Sequence, residues 1–185
     1  MDMDMKTLKT WTARALLLCA FVISGNAYAD TAELNQGAPE GVILPLESIM
    51  EISEIGGAMI APLAIGSWYD AGPGPGVLPF QGQFYYSDIL SSYGSGYMNY
   101  IHYSWSGQTN GWANPLVYLL ILDSSNNIVA NANVTNSPTG GVSVPANTYP
   151  ATYKVAYAFA VNQSPVLRIY NGPSYTWVAA SVQYN

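Results

Sequence analysis

Between Phe84 and Trp112 the sequence concentrates side chains that grip ligands without catalysing anything. Phe84, Tyr85, Tyr86, Tyr93, Tyr97, Tyr100, Tyr103, Trp105 and Trp112 are interleaved with Ser87, Asp88, Asn99, Gln108, Thr109 and Asn110. A tyrosine or tryptophan offers a flat apolar face for a sugar ring or a protein surface, with a polar edge for orientation. Neighbouring amides and carboxylates can bind hydroxyls. The stretch Ser104-Trp-Ser-Gly-Gln-Thr-Asn-Gly-Trp-Ala-Asn114 reads as a loop, and loops on rigid scaffolds carry function. The candidate ligand-binding residues are therefore Tyr97, Trp105, Gln108, Asn110 and Trp112. The competing expectation is that strand alternation sends every second one of these rings into a core.

Other chemistries find little material. After residue 29 the chain holds His102 as its one histidine and no cysteine, which argues against imidazole or thiolate metal sites. A Ser-His-Asp arrangement would have to recruit His102 with Asp70, Asp88 or Asp123. No G-x-S-x-G elbow is present, and Ser95 in Gly94-Ser-Gly96 falls short of it. A glycosidase needs two carboxylates at a set separation. Glu47, Glu51 and Glu54 read instead as one solvated helix face, leaving Asp70 and Asp88. Asp123, Ser125 and Asn127 alternate as calcium ligands sometimes do, but an Asx turn fits them better. The prolines in Gly72-Pro-Gly-Pro-Gly76 remove amide donors that a phosphate would need. No cofactor is implied, and a secreted hydrolase ranks third among the functional readings.

Export explains part of this poverty. Lys6, Lys9 and Arg14 precede a short apolar run from Ala15 to Ser24, which ends in the small-x-small site Ala27-Tyr28-Ala29. These are the three parts of a cleavable signal peptide. The run is shorter than the roughly 20 residues of a spanning helix. Residues 1–29 are thus expected to leave, taking Cys19 with them, and the protein to be secreted, or periplasmic in a bacterium. The remaining 156 residues carry Lys154 and Arg168 against nine acids, a net charge of −7. Two scattered cations cannot track a phosphate backbone, so nucleic acid and anionic membrane surfaces are excluded as partners.

The elements that must position the aromatics read as strands. Residues 30–66 are acidic and free of aromatics, and Asp70 to Pro79 alternates Gly and Pro as a linker would. Residues 30–79 are accordingly expected as an N-terminal segment and linker, and residues 80–185 as the domain. Leu44 to Ile55 favours a short amphipathic helix, and Gly56 to Gly66 is expected to pack on the domain or cover a sheet edge. Beyond the linker, strands are expected over Phe80–Tyr86, Gly96–Trp105, Leu116–Leu122, Ile128–Thr135, Val142–Val144, Tyr153–Val161, Val166–Tyr170 and Tyr175–Tyr184. Leu116-Val-Tyr-Leu-Leu-Ile-Leu122 has the continuous apolar character of a central strand buried on both faces. Asp123 to Asn127 would turn it into a hairpin with Ile128–Thr135. Short strands with turns between them predict an all-β, antiparallel, jelly-roll-like β-sandwich.

The order Tyr103-Ser-Trp-Ser-Gly107, Leu116 to Asp123 with Asn126-Asn-Ile-Val-Ala130, Pro145-Ala-Asn-Thr-Tyr-Pro-Ala-Thr-Tyr-Lys-Val155 and Tyr175-Thr-Trp-Val178 resembles secreted β-sandwiches of the pre-peptidase C-terminal type. The resemblance spans about half of the exported chain. It implies a non-catalytic extracellular accessory domain. Acidic residues that can hold calcium before the family's central strand are replaced here by Ala113-Asn-Pro115. The sequence therefore points first to recognition of an extracellular glycan or surface partner. Second comes a self-associating surface or matrix protein, in which Ile55 to Ile65 could complete a neighbour's sheet and make a homo-oligomer.

Overall fold

The computed structural model describes residues 44–45, 49, 52–56, 64–91 and 93–185. The expected signal sequence, residues 1–29, lies outside the described residues, as does most of the acidic segment. Among the described residues nine strands follow in order: β1 (Leu44–Pro45), β2 (Gly66–Val77), β3 (Gln83–Tyr86), β4 (Met98–Gln108), β5 (Pro115–Leu122), β6 (Ile128–Asn133), β7 (Thr139–Ser143), β8 (Lys154–Val161) and β9 (Ser174–Tyr184). They form two antiparallel sheets, ordered β1-β3-β8-β5-β6 and β2-β9-β4-β7. The chain is an all-β sandwich. With a single cysteine in the whole sequence it has no intrachain disulfide, so packing must stabilise it.

The period of two decides the packing. Val117, Leu119 and Ile121 of β5 and Val155, Tyr157 and Phe159 of β8 face Ile101 of β4 and Val178, Ala180 and Val182 of β9. The other face of the first sheet is buried too. Tyr118, Leu120 and Leu122 alternate with the inner set, and Phe84 meets Tyr118 edge-on at 5.6 Å. The expected central strand with two buried faces is thus β5, between β8 and β6. Its hairpin with β6 pairs Tyr118 with Asn133 through Leu122 with Ile128.

Three local expectations change. Gly72 to Gly76 is not a linker: it belongs to β2, which pairs with β9 from Gly66↔Tyr184 to Val77↔Ser174 with a shift between Pro73 and Gly76. Proline is tolerated there because β2 is an edge strand and the bulge absorbs the missing donors. The sandwich therefore begins well before residue 80. Second, Val166–Tyr170 does not form a full strand and contributes an isolated Phe80↔Arg168 bridge. Third, the helix expected over Leu44–Ile55 is narrowed: Ile49 is helical, while Leu44–Pro45 pair with β3 and Ser53–Ile55 run beside β6. Ile55 N–H donates to the Asn131 carbonyl at 2.6 Å, and Asn131 N–H donates to Ser53 at 3.0 Å. A sheet edge that would otherwise be bare is thereby covered. This cover comes from residues 53–55, while most of Gly56–Gly66 lies outside the described residues.

Asp123 makes an Asx turn. Its Oδ1 accepts from the amides of Ser125 and Asn127, both at 2.8 Å, and Oδ2 accepts from the Asn127 side chain at 2.9 Å. The Asn127 amide, ahead of the backbone donors and Lys154, holds the carboxyl below its ordinary value. A depressed folded-state pKa stabilises the fold above the unfolded-state value and loses that contribution as pH falls past both. Stability should therefore drop as pH falls through about 4, with a shallower acid limb in Asp123→Ala. Denaturant titrations from neutral to acid pH check this; parallel acid limbs in the two proteins would contradict it.

Candidate binding cleft

The five residues read as a ligand site do not meet in one place. Tyr97 lies just before β4, where its amide and carbonyl exchange hydrogen bonds with Asn185 at 3.0 and 3.1 Å. Gln108 ends the same strand, roughly 33 Å away for 11 residues at the usual rise. Asn110 and Trp112 lie beyond it. Asn110 Nδ2 donates to Gly172 O at 2.7 Å, and Trp112 Nε1 donates to Asn171 O at 3.0 Å. Their polar edges thus tie two turns together. Trp105 is not on a loop, because β4 continues to Gln108. Its ring packs on the core against Tyr175 at 5.8 Å, and Nε1 donates to Val134 O at 3.3 Å. The structure brings Gln108, Asn110 and Trp112 to one end and sends Trp105 inward and Tyr97 to the other end.

Much of the remaining aromatic density is interior. Phe159 sits between Tyr175, at 4.3 Å, and Tyr157, at 6.2 Å. Burial pushes the Tyr157 hydroxyl up, and it donates to Ala179 O at 2.5 Å. Burial also pushes Tyr175 up to about 12.

A concave site opens elsewhere, on the side of the sandwich where β6 and β7 are the outer strands. Its volume is about 470 Å³, within the range of small-ligand pockets. One wall is Glu54, Ile55 and Gly56 with Ala132, Asn133 and Val134; the other is Tyr100, Tyr103 and Gly141 to Ser143. Glycine makes the second wall possible. A Cβ on Gly140 would come within 2.5 Å of the Tyr103 hydroxyl, and one on Gly141 would collide with that of Tyr100. Gly140 pairs with Tyr103 and Gly141 with His102, on opposite faces of the sheet. The two tyrosines therefore reach across both faces of β7. On the first wall, Glu54 is exposed. Burial raises the nearby Tyr118 hydroxyl, the Glu54 charge raises it further, and a hydrogen bond with Asn133 opposes both. Sequence reading missed this site. Its one signal was Gly140-Gly141 in a strand, which marks a close approach of other atoms to the backbone.

The outer face of the second sheet carries mostly small residues between two exposed rings. In register, Tyr69, Ser181, His102 and Gly141 form one row and Ala71, Ala179, Ser104 and Thr139 the next. Trp177 follows beside Pro73 on the same face. Tyr69 is 64% and Trp177 40% exposed. His102 meets Gln183 at 3.3 Å and the Tyr100 ring at 4.7 Å. Asp70 spends its oxygens on the amides of Ala71 and Ser91, and Asp123 is held in its turn. Among the described residues no cluster of three His, Cys, Asp or Glu could hold a metal ion, and no helix is long and apolar enough to cross a membrane.

No family model and no curated protein matches the chain. Among solved structures, one titled "Crystal Structure of FLHE" is similar, with a TM-score of 0.53 and 20% identity over 65% of this chain and 96% of that one. At that identity the likeness is one of fold: a β-sandwich of the same general build.

Proposed function

We propose that the protein is an exported, non-catalytic recognition domain that holds an extracellular ligand, a glycan or a surface partner, in the cleft between β6 and β7. The observation that carries this reading is the cleft itself. It is concave, and its walls offer the Tyr100 and Tyr103 hydroxyls, Asn133 and the exposed Glu54. The aromatic loop, by contrast, uses the polar edges of Trp105, Asn110 and Trp112 internally. The expected signal sequence and the resemblance to pre-peptidase C-terminal type domains support an extracellular accessory role. A second reading, an extended polysaccharide laid across the outer face of the second sheet, is favoured by Tyr69 and Trp177, two exposed rings flanking the small Ala71 and Ala179.

Screening the exported protein on a neutral-glycan array and a displayed random-peptide library tests this. Tyr100→Ala should weaken the retained ligand about tenfold or more, while Trp112→Ala and Trp177→Ala leave it unchanged. Loss confined to Trp112→Ala would return the site to the aromatic loop, and loss confined to Trp177→Ala would move it to the outer face of the second sheet. No ligand from either screen would overturn the recognition reading.

A further inference from the structure

The four outer strands of the sandwich are not equally protected. β1 has two residues and ends on Pro45. β2 carries Pro73, Pro75 and a bulge. β6 is paired through Asn131 with the chain's own Ser53–Ile55. β7, Thr139-Gly-Gly-Val-Ser143, has neither proline nor charge, and among the described residues it pairs with β4 alone. These are the devices by which proteins guard sheet edges, and β7 lacks them.

The phase of the ladder shows which groups β7 presents. Trp105 N–H donates to Pro138 O at 2.9 Å, and Val144 N–H donates to Asn99 O at 3.0 Å. Hydrogen-bonded pairs alternate in an antiparallel ladder. Even-numbered residues from Pro138 to Val144 therefore bond toward β4, while Thr139 and Gly141 turn their main-chain groups outward, and of these two Gly141 lines the cleft. The Thr139 carbonyl is met by the Ser137 hydroxyl at 2.5 Å. The Thr139 amide and both groups of Gly141 face the side on which a further strand would lie.

We infer that the occupant of the cleft is an extended segment of a partner polypeptide, which adds to β7 as a strand and sets a lysine or arginine beside Glu54. This rests on the reading of the cleft as the recognition site. Strand addition draws affinity from main-chain hydrogen bonds and specificity from alternate side chains. Here one set of side chains would meet Tyr103, Val134 and Ile55, and the other Tyr100. Charge selects the partner. The full chain has a formal charge of −6. Lys154 is occupied elsewhere, on Ser124 O and Asn126 Oδ1. A basic segment complements this surface, whereas a second copy would bring its own Glu54 and like charge.

The test starts from a random-peptide phage library selected on the exported protein. A recovered peptide is synthesised and titrated against wild type, Thr139→Pro, Glu54→Gln and Tyr100→Ala, with amide hydrogen exchange read in its presence. The Thr139 amide points away from β4, so proline there keeps the existing ladder. The expected peptide carries Lys or Arg and slows exchange at Gly141 about tenfold or more. Thr139→Pro should weaken it about tenfold and Glu54→Gln about threefold, with unchanged melting in both variants. A peptide or glycan that needs Tyr100 but leaves Gly141 exchange and the Thr139→Pro titration unaltered would overturn strand addition and leave the cleft reading standing. A dimer that Thr139→Pro dissociates would name a second copy as the occupant and overturn the partner assignment. A ligand indifferent to both Tyr100→Ala and Thr139→Pro would overturn the cleft reading itself.

Discussion

Trp105→Ala is expected to destabilise the protein by about 3 kcal/mol while leaving ligand affinity per folded molecule unchanged. The indole stands edge-on to Tyr175 at 5.8 Å, packs on the core, and its N–H donates to Val134 O at 3.3 Å. Truncation leaves a cavity beside the Tyr157–Phe159–Tyr175 group and strips the Val134 carbonyl of a donor. Trp105→Phe keeps most of the packing but loses that hydrogen bond, so its cost should be smaller, about 1–2 kcal/mol. Denaturant unfolding of both variants measures this. A stable Trp105→Ala protein with abolished binding would make Trp105 a ligand contact after all.

Asn131→Leu should cost about 2–3 kcal/mol and make the protein associate in a concentration-dependent way. Asn131 is 2% exposed, and its Nδ2 donates to Ile49 O at 2.9 Å and Ile52 O at 3.0 Å. Its main chain holds Ser53 and Ile55 against β6. Leucine matches the volume but offers no donor, so the Ile52 carbonyl loses the Asn131 donor, the Ile49 carbonyl keeps only the Ile52 amide, and the cover over β6 loosens. A freed edge is a template for pairing with another chain. Unfolding curves and light scattering at several concentrations read the two effects. Unchanged stability without association would show that the segment does not depend on Asn131.

The fold was legible in the sequence where periodicity was strong. Leu116–Leu122 announced a strand covered on both faces, and the Asp123 cluster announced its turn. What misled was local chemistry read without its neighbours. Gly72-Pro-Gly-Pro-Gly76 looks like a breaker, yet an edge strand needs ladder donors on one side only. Of the helical stripe over Leu44–Ile55, Ile49 is helical, but Ser53–Ile55 leave it to cover β6. The candidate site suffered most. Tyr97, Trp105 and Trp112 are close in sequence and share a chemistry, but β4 runs on to Gln108 and separates them. The cleft draws on residues from Glu54 to Ser143, a juxtaposition that exists only once two sheets have closed.

The proposed recognition surface lies between β6 and β7, not on the aromatic loop. Amide chemical-shift mapping of isotope-labelled protein spanning residues 30–185, with any ligand retained by the glycan or peptide screens, decides between the two surfaces. The account predicts shifts concentrated at Glu54–Gly56, Ala132–Val134, Tyr100 and Gly140–Ser143, with Asn110, Trp112 and Asn171 unmoved. Shifts centred on Asn110, Trp112 and Asn171, with the cleft silent, would contradict it.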